Sequence, residues 1–270
     1  MKNKIWILLA VILASVLLAG AAMAQEEVPG AENDHMMTIA IGTTGYTIDI
    51  PDDCTRREID EEHRADDMVS RYYSEDSDLD IDIYQFELND MSLEDYVKEE
   101  SEEYGAEDVF FTSLNEIVLA FYRSVEERDE NTYQAFNYLF PTGDKWYAEI
   151  VIWIHLDAHG MSPQEQLAMS IINSAKVAGI EVSAMEVRTD SPVGIRLVLK
   201  NLSEKPVTMD VSSFSLQCGD KRYSPVETSI VVQPGQDSTE YILDVGADKV
   251  EPGQEISLYY GNILLAAAGS

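Results

Sequence analysis

Leu79-Asp80-Ile81-Asp82-Ile83 alternates apolar and acidic side chains at every position. Successive side chains of a strand point to opposite faces, so this period of two describes a strand with one dry and one wet side; no helix satisfies it. The same alternation recurs along much of the chain. Met37 to Ile41 and Tyr46 to Ile50 flank a Gly42…Gly45 turn and predict a β-hairpin, ended by Pro51, which has no N–H for a ladder. Met68 to Tyr73 and Leu79 to Phe86 predict a second strand pair across Ser74-Glu75-Asp76-Ser77, with Asp80 and Asp82 on its solvated face. Three long strands are predicted at 117–127, 132–140 and 145–156.

Helical periodicity is confined to two stretches. Ser92 reads as an N-cap, with Glu94 and Asp95 in the first turn, where the helix dipole favours acids. Leu93, Tyr96, Val97 and Tyr104 approximate one face, so 92–104 is predicted helical with an acidic outer side. Ser162-Pro163 is the expected cap and first-turn pair of a helix over 162–175, buried through Leu167, Ile171 and Ile172. Strands with one helix near the middle and one at the end predict an α+β domain with an antiparallel sheet over 36–178.

A boundary is predicted near Gly179. Beyond it come seven short strand patterns, from Ile180 to Tyr260, separated by turns such as Gly219-Asp220, Pro234-Gly235 and Pro252-Gly253. That spacing predicts an all-β immunoglobulin-like sandwich over 179–270. The antibody pattern of two Cys and a core Trp is absent, because Cys218 stands alone and no Trp lies in the region.

The other end reads as an address. Lys2 and Lys4 precede an apolar run from Ile5 to Leu18, and Ala22-Met23-Ala24 is a small-residue cleavage site, so 1–24 is read as a signal peptide cleaved after Ala24. An uncleaved membrane anchor is the competing reading, since Ile5 to Ala24 is about one bilayer span. Residues 25–35 form a short acidic linker. No other stretch is long enough to span, so no stable membrane segment is expected after cleavage.

Charge narrows the partners. The chain carries 50 Asp and Glu against 18 Lys and Arg, a formal charge of −32. Such a field repels phosphate backbones and excludes nucleic acid as a partner. It is unevenly spread, with 33 acidic and 9 basic residues in 36–178 but 13 and 7 in 179–270.

Two resemblances follow from these patterns. Tyr46-x-Ile48-x-Ile50-Pro51, a strand pair, Ser92-Leu93-Glu94-Asp95-Tyr96 opening a helix, and three long strands leading to a helix with Ser170-Ile171 near its end resemble the PsbP/Mog-type fold. The exported bacterial, DcrB-like members are the most similar. The resemblance spans 36–178 and implies an α/β/α sandwich used for binding; it carries no catalytic residues. Val198-x-Lys200-Asn201, Phe214-x-Leu216, Tyr223 and Pro234-Gly235 resemble the immunoglobulin-like domains ending many exported Gram-positive proteins, which implies display and adhesion-like binding.

Motifs for chemistry are scarce. The chain lacks a G-x-S-x-G elbow, a P-loop, a G-x-G-x-x-G turn and a C-x-x-C pair. His155-x-Asp157-x-His159 has alternate residues on one face of a strand, yet reads more simply as the polar end of that strand. Asp76-x-Asp78-x-Asp80-x-Asp82 invites a calcium reading, but lacks the Gly and the bidentate acid of a calcium loop and reads as an acidic turn with a solvated strand face. Glu99-Glu100-x-Glu102-Glu103 reads as a solvated helix face. Cys54 and Cys218 are compatible with an interdomain disulfide or with two thiols. Asn201-Leu202-Ser203 matches a glycosylation sequon by chance in a bacterial-looking exported protein. Tyr72, Tyr73, Tyr84 and Tyr133 are candidates for a ligand groove, although strand packing explains them as well.

No catalytic, cofactor-binding or metal-ligating residue is nominated. The expectation is an exported, non-enzymatic binding protein of the bacterial envelope or exterior, whose acidic surface favours cationic or basic partners. A divalent-cation-binding (calcium) envelope protein is the alternative.

Overall fold

A computed structural model describes residues 35–88, 91–106, 109–114, 117–128, 131–142, 146–155, 163–176, 179–189, 193–235, 237–246 and 255–269. The proposed signal peptide, most of the linker, and Asp157 and His159 lie outside the described residues.

Period-two sequence becomes strand where expected. β1 (Met36–Ala40) and β2 (Thr47–Pro51) form the hairpin, with Gly42 and Gly45 at φ 54° and 84° in its turn, a region that favours glycine. After β3 (Thr55–Arg56) and the single-turn α1 (Glu61–Ala65), β4 (Met68–Ser74) pairs with β5 (Leu79–Glu87). α2 (Leu93–Glu103) begins as predicted, Ser92 Oγ accepting from the Asp95 N–H at 3.1 Å. Then follow β6 (Val109–Leu114), β7 (Ile117–Arg128), β8 (Asn131–Pro141) and β9 (Trp146–His155), and α3 (Pro163–Asn173) opens on its proline. The rest is strand: β10 (Ile180–Arg188), β11 (Gly194–Asn201), β12 (Val207–Asp210), β13 (Phe214–Cys218), β14 (Lys221–Tyr223), β15 (Ser229–Val232), β16 (Thr239–Asp244), β17 (Glu255–Tyr260) and β18 (Ile263–Gly269).

The protein is β-rich. Its largest sheet has the order β3-β4-β5-β9-β8-β7-β6, antiparallel throughout. One face carries Ile81 and Ile83 of β5, Ile150, Ile152 and Ile154 of β9, and Phe136 and Tyr138 of β8. Onto it pack Ala168, Ile171 and Ile172 of α3 and Ile39, Ile48 and Ile50 of the hairpin. α2 lies on the opposite face, against β6 and β7. An α/β/α sandwich is therefore not what forms. Helices of 11 residues are about 16 Å long, while seven strands span about 29 Å, so the hairpin shares the cover on one face and part of the other stays open.

The boundary near Gly179 is not a gap in the packing. β1 pairs in parallel with β12, Thr38 opposite Val207, giving a mixed sheet β15-β12-β1-β2 built from both ends of the chain. Two further antiparallel sheets, β10-β11-β16 and β14-β13-β17-β18, hold the remaining strands, and every described regular element of 179–270 is a strand. One hydrophobic cluster runs from Ile39 through Ile150 to Leu258 and Tyr260, and residues 35–270 form one compact unit. Alternation along a strand reports which face is buried, not which strand lies beside it.

Cys54 and Cys218 are both buried and free, members of this same cluster and not a disulfide. The Asn201 side chain is buried and donates to the carbonyls of Lys205 and Val232, both at 2.8 Å, so the sequon is a turn support and not a modification site.

Candidate functional site

The open part of the large sheet is the face on which β5 carries Asp82, Tyr84 and Phe86. Antiparallel register aligns this face into rungs across four strands. Tyr84 stands opposite Glu149, Glu149 opposite Leu139 and Leu139 opposite Ala120. The next rung runs Asp82, Val151, Asn137, Tyr122. The chain leaves β5 at Glu87 and crosses this face to reach the edge strand β6, skipping β9, β8 and β7. α2 is that crossing. Val97 is fully buried against Phe86, Ala120, Tyr122 and Leu139, with Leu93 and Tyr96 packed alongside. This small second core seals one side of a groove and leaves the other open.

The groove encloses about 690 Å³. Tyr122, Glu149, Val151 and Trp153 are among its sheet residues, Tyr96, Glu100 and Glu103 come from α2, Tyr104 caps the end of that helix, and Asp66 and Asp67 come from the turn after α1. Acids and aromatics dominate, and the lining includes no Lys or Arg among the described residues. Among the described lining residues His63 of α1 is the one with a titratable nitrogen; its Nδ1 lies 2.7 Å from Asp60 Oδ1.

Glu149 is a carboxyl placed out of reach of water. Its carboxyl is buried on the sheet and its Oε1 accepts from the Tyr122 hydroxyl at 3.3 Å. Burial, reinforced by the charge of Glu100 and only partly offset by the Tyr122 hydrogen bond, pushes it up to about 8. Glu100, half-buried at the groove wall, is raised by burial and then by Glu103 and Glu99. An uncompensated carboxylate in such a place takes up a proton or a cation.

Asp82 forms a second buried acid next door. Its Oδ2 accepts from Trp153 Nε1 at 3.0 Å, and Arg71 Nε lies 3.3 Å from Oδ1. Burial raises it to about 6 against the opposing charge of Arg71. Arg71 and Arg57 also flank Asp80, at 3.8 and 3.7 Å. The Asp80 and Asp82 face read as solvated is thus an ion-paired shelf, with Asp82 buried. Tertiary neighbours on β4 and β9 cover it, and strand alternation carries no signal for them.

The other candidates disperse. Asp76 and Asp78 sit in an exposed turn, where the Asp76 N–H donates to Asp53 Oδ2 at 3.2 Å. No group of three or more His, Cys, Asp or Glu is arranged to hold a metal ion among the described residues. His155 meets Tyr133 edge-on, with ring centroids 5.6 Å apart. Of the four tyrosines proposed for a groove, Tyr84 lines it; Tyr72 is in the core, and Arg57 lies 3.9 Å above Tyr73. Glu100, placed on a solvated face, instead borders the groove. Glu149 and Tyr122 carry no motif; their one local signal is polar residues in strands that otherwise read as buried.

No family model and no curated protein matches the chain. A crystal structure of a protein from Bacteroides thetaiotaomicron VPI-5482, at 1.50 Å resolution, is similar with a TM-score of 0.39 and 16 % identity over 62 % of this chain. The match spans about half of that protein, 55 % of its length. Among the described residues no helix is long and apolar enough to cross a membrane.

Proposed function

We propose that the protein is an exported, non-enzymatic binding protein that takes cationic or basic partners, and that the acidic aromatic groove of the large sheet is its recognition site. One observation carries the reading: the groove places the buried Glu149 among aromatic walls with no Lys or Arg in its described lining. A cation gains there twice, from the carboxylates and from the negative faces of the rings. The net charge of the chain steers such partners toward the surface, and anions away. Export rests on the pattern of residues 1–24, and the envelope setting on the resemblance of 36–178 to exported DcrB-like domains.

Trp153 lines the groove and reports occupancy. Its fluorescence is expected to change on adding poly-L-lysine, half-saturating at higher concentration as salt rises, and to ignore poly-L-glutamate. An equal response to both polymers, or none to the cationic one, overturns the proposal.

A further inference from the structure

The cavity, the acids and the rings together specify a ligand chemistry. Hard metal ions require six or more oxygens converging at 2.3–2.6 Å for calcium, or a tight octahedron for magnesium. The groove acids stand on different elements, with Glu149 on β9, Glu100 on α2 and Asp67 ahead of β4, and no three His, Cys, Asp or Glu among the described residues are grouped to hold a metal ion. About 690 Å³ is also far more than an ion needs. It suits an organic cation whose apolar stem lies on Phe86, Tyr96 and Tyr104 while its charged end reaches the carboxyls.

Resting on the cationic-groove reading, we infer that the groove takes an organic ammonium seated on Glu149 and Glu100, and that its entry expels one proton from Glu149. Among the described residues the buried Glu149 has Tyr122 as its hydrogen-bond partner and no ion pair. In the empty groove the acid holds its proton, because burial and the Glu100 charge disfavour a second anion. An arriving R–NH₃⁺ reverses that preference. The O–H bond of Glu149 breaks, the proton passes to solvent, and a carboxylate–ammonium pair remains, with charge conserved.

Among the described residues the other titratable groups around Glu149 are mostly neutral tyrosines and further acids. Tyr84 of β5, Tyr122 of β7, Tyr96 of α2 and Tyr104 at its C-cap are all raised by burial and stay neutral. Glu87, Glu103, Glu126, Asp66 and Asp67 add negative charge around the rim. His63 on α1 borders the groove beside Asp60, and Arg71 on β4 is held by Asp80 and Asp82. Cation affinity therefore rises with pH up to about 8, close to tenfold per unit where one proton is exchanged.

The test is calorimetric titration of the purified protein with hexylamine hydrochloride at pH 7, in phosphate and in Tris. The two buffers differ in ionisation enthalpy, so their heats differ by the protons released. Close to one proton per hexylammonium is expected, with hexanol binding at least tenfold more weakly. Glu149→Gln is expected to abolish the proton release and weaken hexylammonium at least tenfold. Glutamine resembles the protonated acid, and the buffer comparison on the unaltered protein decides the matter even where that variant fails to fold. Hexylammonium binding without proton release, hexanol binding equally well, or calcium displacing hexylammonium stoichiometrically overturns the inference and leaves the cationic-groove reading standing. Absence of binding by both hexylammonium and poly-L-lysine overturns both.

Discussion

Arg56 Nε donates to Asp210 Oδ2 at 2.6 Å, across 154 residues of sequence. The Asp210 side chain is 1 % exposed and its other oxygen accepts from the Ser212 N–H at 2.9 Å and the Ser212 hydroxyl at 2.6 Å. Arg56 also donates to Ser212, so the guanidinium of β3 is tied to the end of β12 at two points. A buried carboxylate with every acceptor engaged orients its partners strongly, although the pair itself contributes less than its geometry implies.

Removing one partner is the costly change. Asp210→Ala should destabilise the protein by about 3 kcal/mol, because the Arg56 charge keeps its partial burial without compensation. Replacing both, as Arg56→Met with Asp210→Leu, should recover more than half of that loss. Denaturant melts of the three variants decide it, and a double variant as weak as the single one would refute the account.

Continuity of the core has its own consequence. The sheet β15-β12-β1-β2 and the cluster joining Ile39 to Tyr260 couple both ends of the chain. Calorimetric unfolding of the protein should show one transition, with calorimetric and van't Hoff enthalpies equal. Two resolved transitions would mean that 36–178 and 179–270 melt separately.

The buried acids set a pH dependence of known sign. Glu149 is pushed up to about 8 and Asp82 to about 6, whereas the unfolded chain loses both protons near pH 4. Between those values the folded protein holds protons that the unfolded chain has lost, so stability from these groups is full at low pH and falls as pH rises toward 8. Glu149→Gln should flatten the decline in melting temperature between pH 5 and 8.5, and exceed the unaltered protein at pH 8.5 by several degrees. Parallel pH profiles for the two proteins would show that Glu149 ionises normally.

Cys54 is raised to about 12, by burial first and then by the charges of Asp53, Asp52 and Asp80, and Cys218 is raised by burial. The thiolate is the reactive form, so both should resist a disulfide reagent in the folded protein and react promptly in denaturant. Reductant should leave the melting temperature unchanged. Fast native labelling of Cys54 would contradict its burial.

Much of the local structure was legible. Glycine turns and alternation marked the hairpin, Ser92 marked the start of α2, and Pro163 the start of α3, because each acts through neighbours a few residues away. β6 and β18 were not read, since Val109 to Leu114 and Ile263 to Gly269 do not alternate cleanly. For the site the balance is reversed. Tyr84 was nominated, but the buried role of Glu149 depends on α2 crossing above it and on Tyr122 two strands away.

Composition and patterning decided the sign of the field, the strand-rich character and the absence of familiar catalytic motifs, because these are sums or short-range properties of the chain. Pairing was decided elsewhere. That β1 joins β12, that β5 lies beside β9, and that Asp82 is covered while Glu100 borders a groove all follow from contacts between residues tens to more than a hundred positions apart. An alternating strand buries one face in any of several partnerships, and only the competition among all the strands for one core selects the partner.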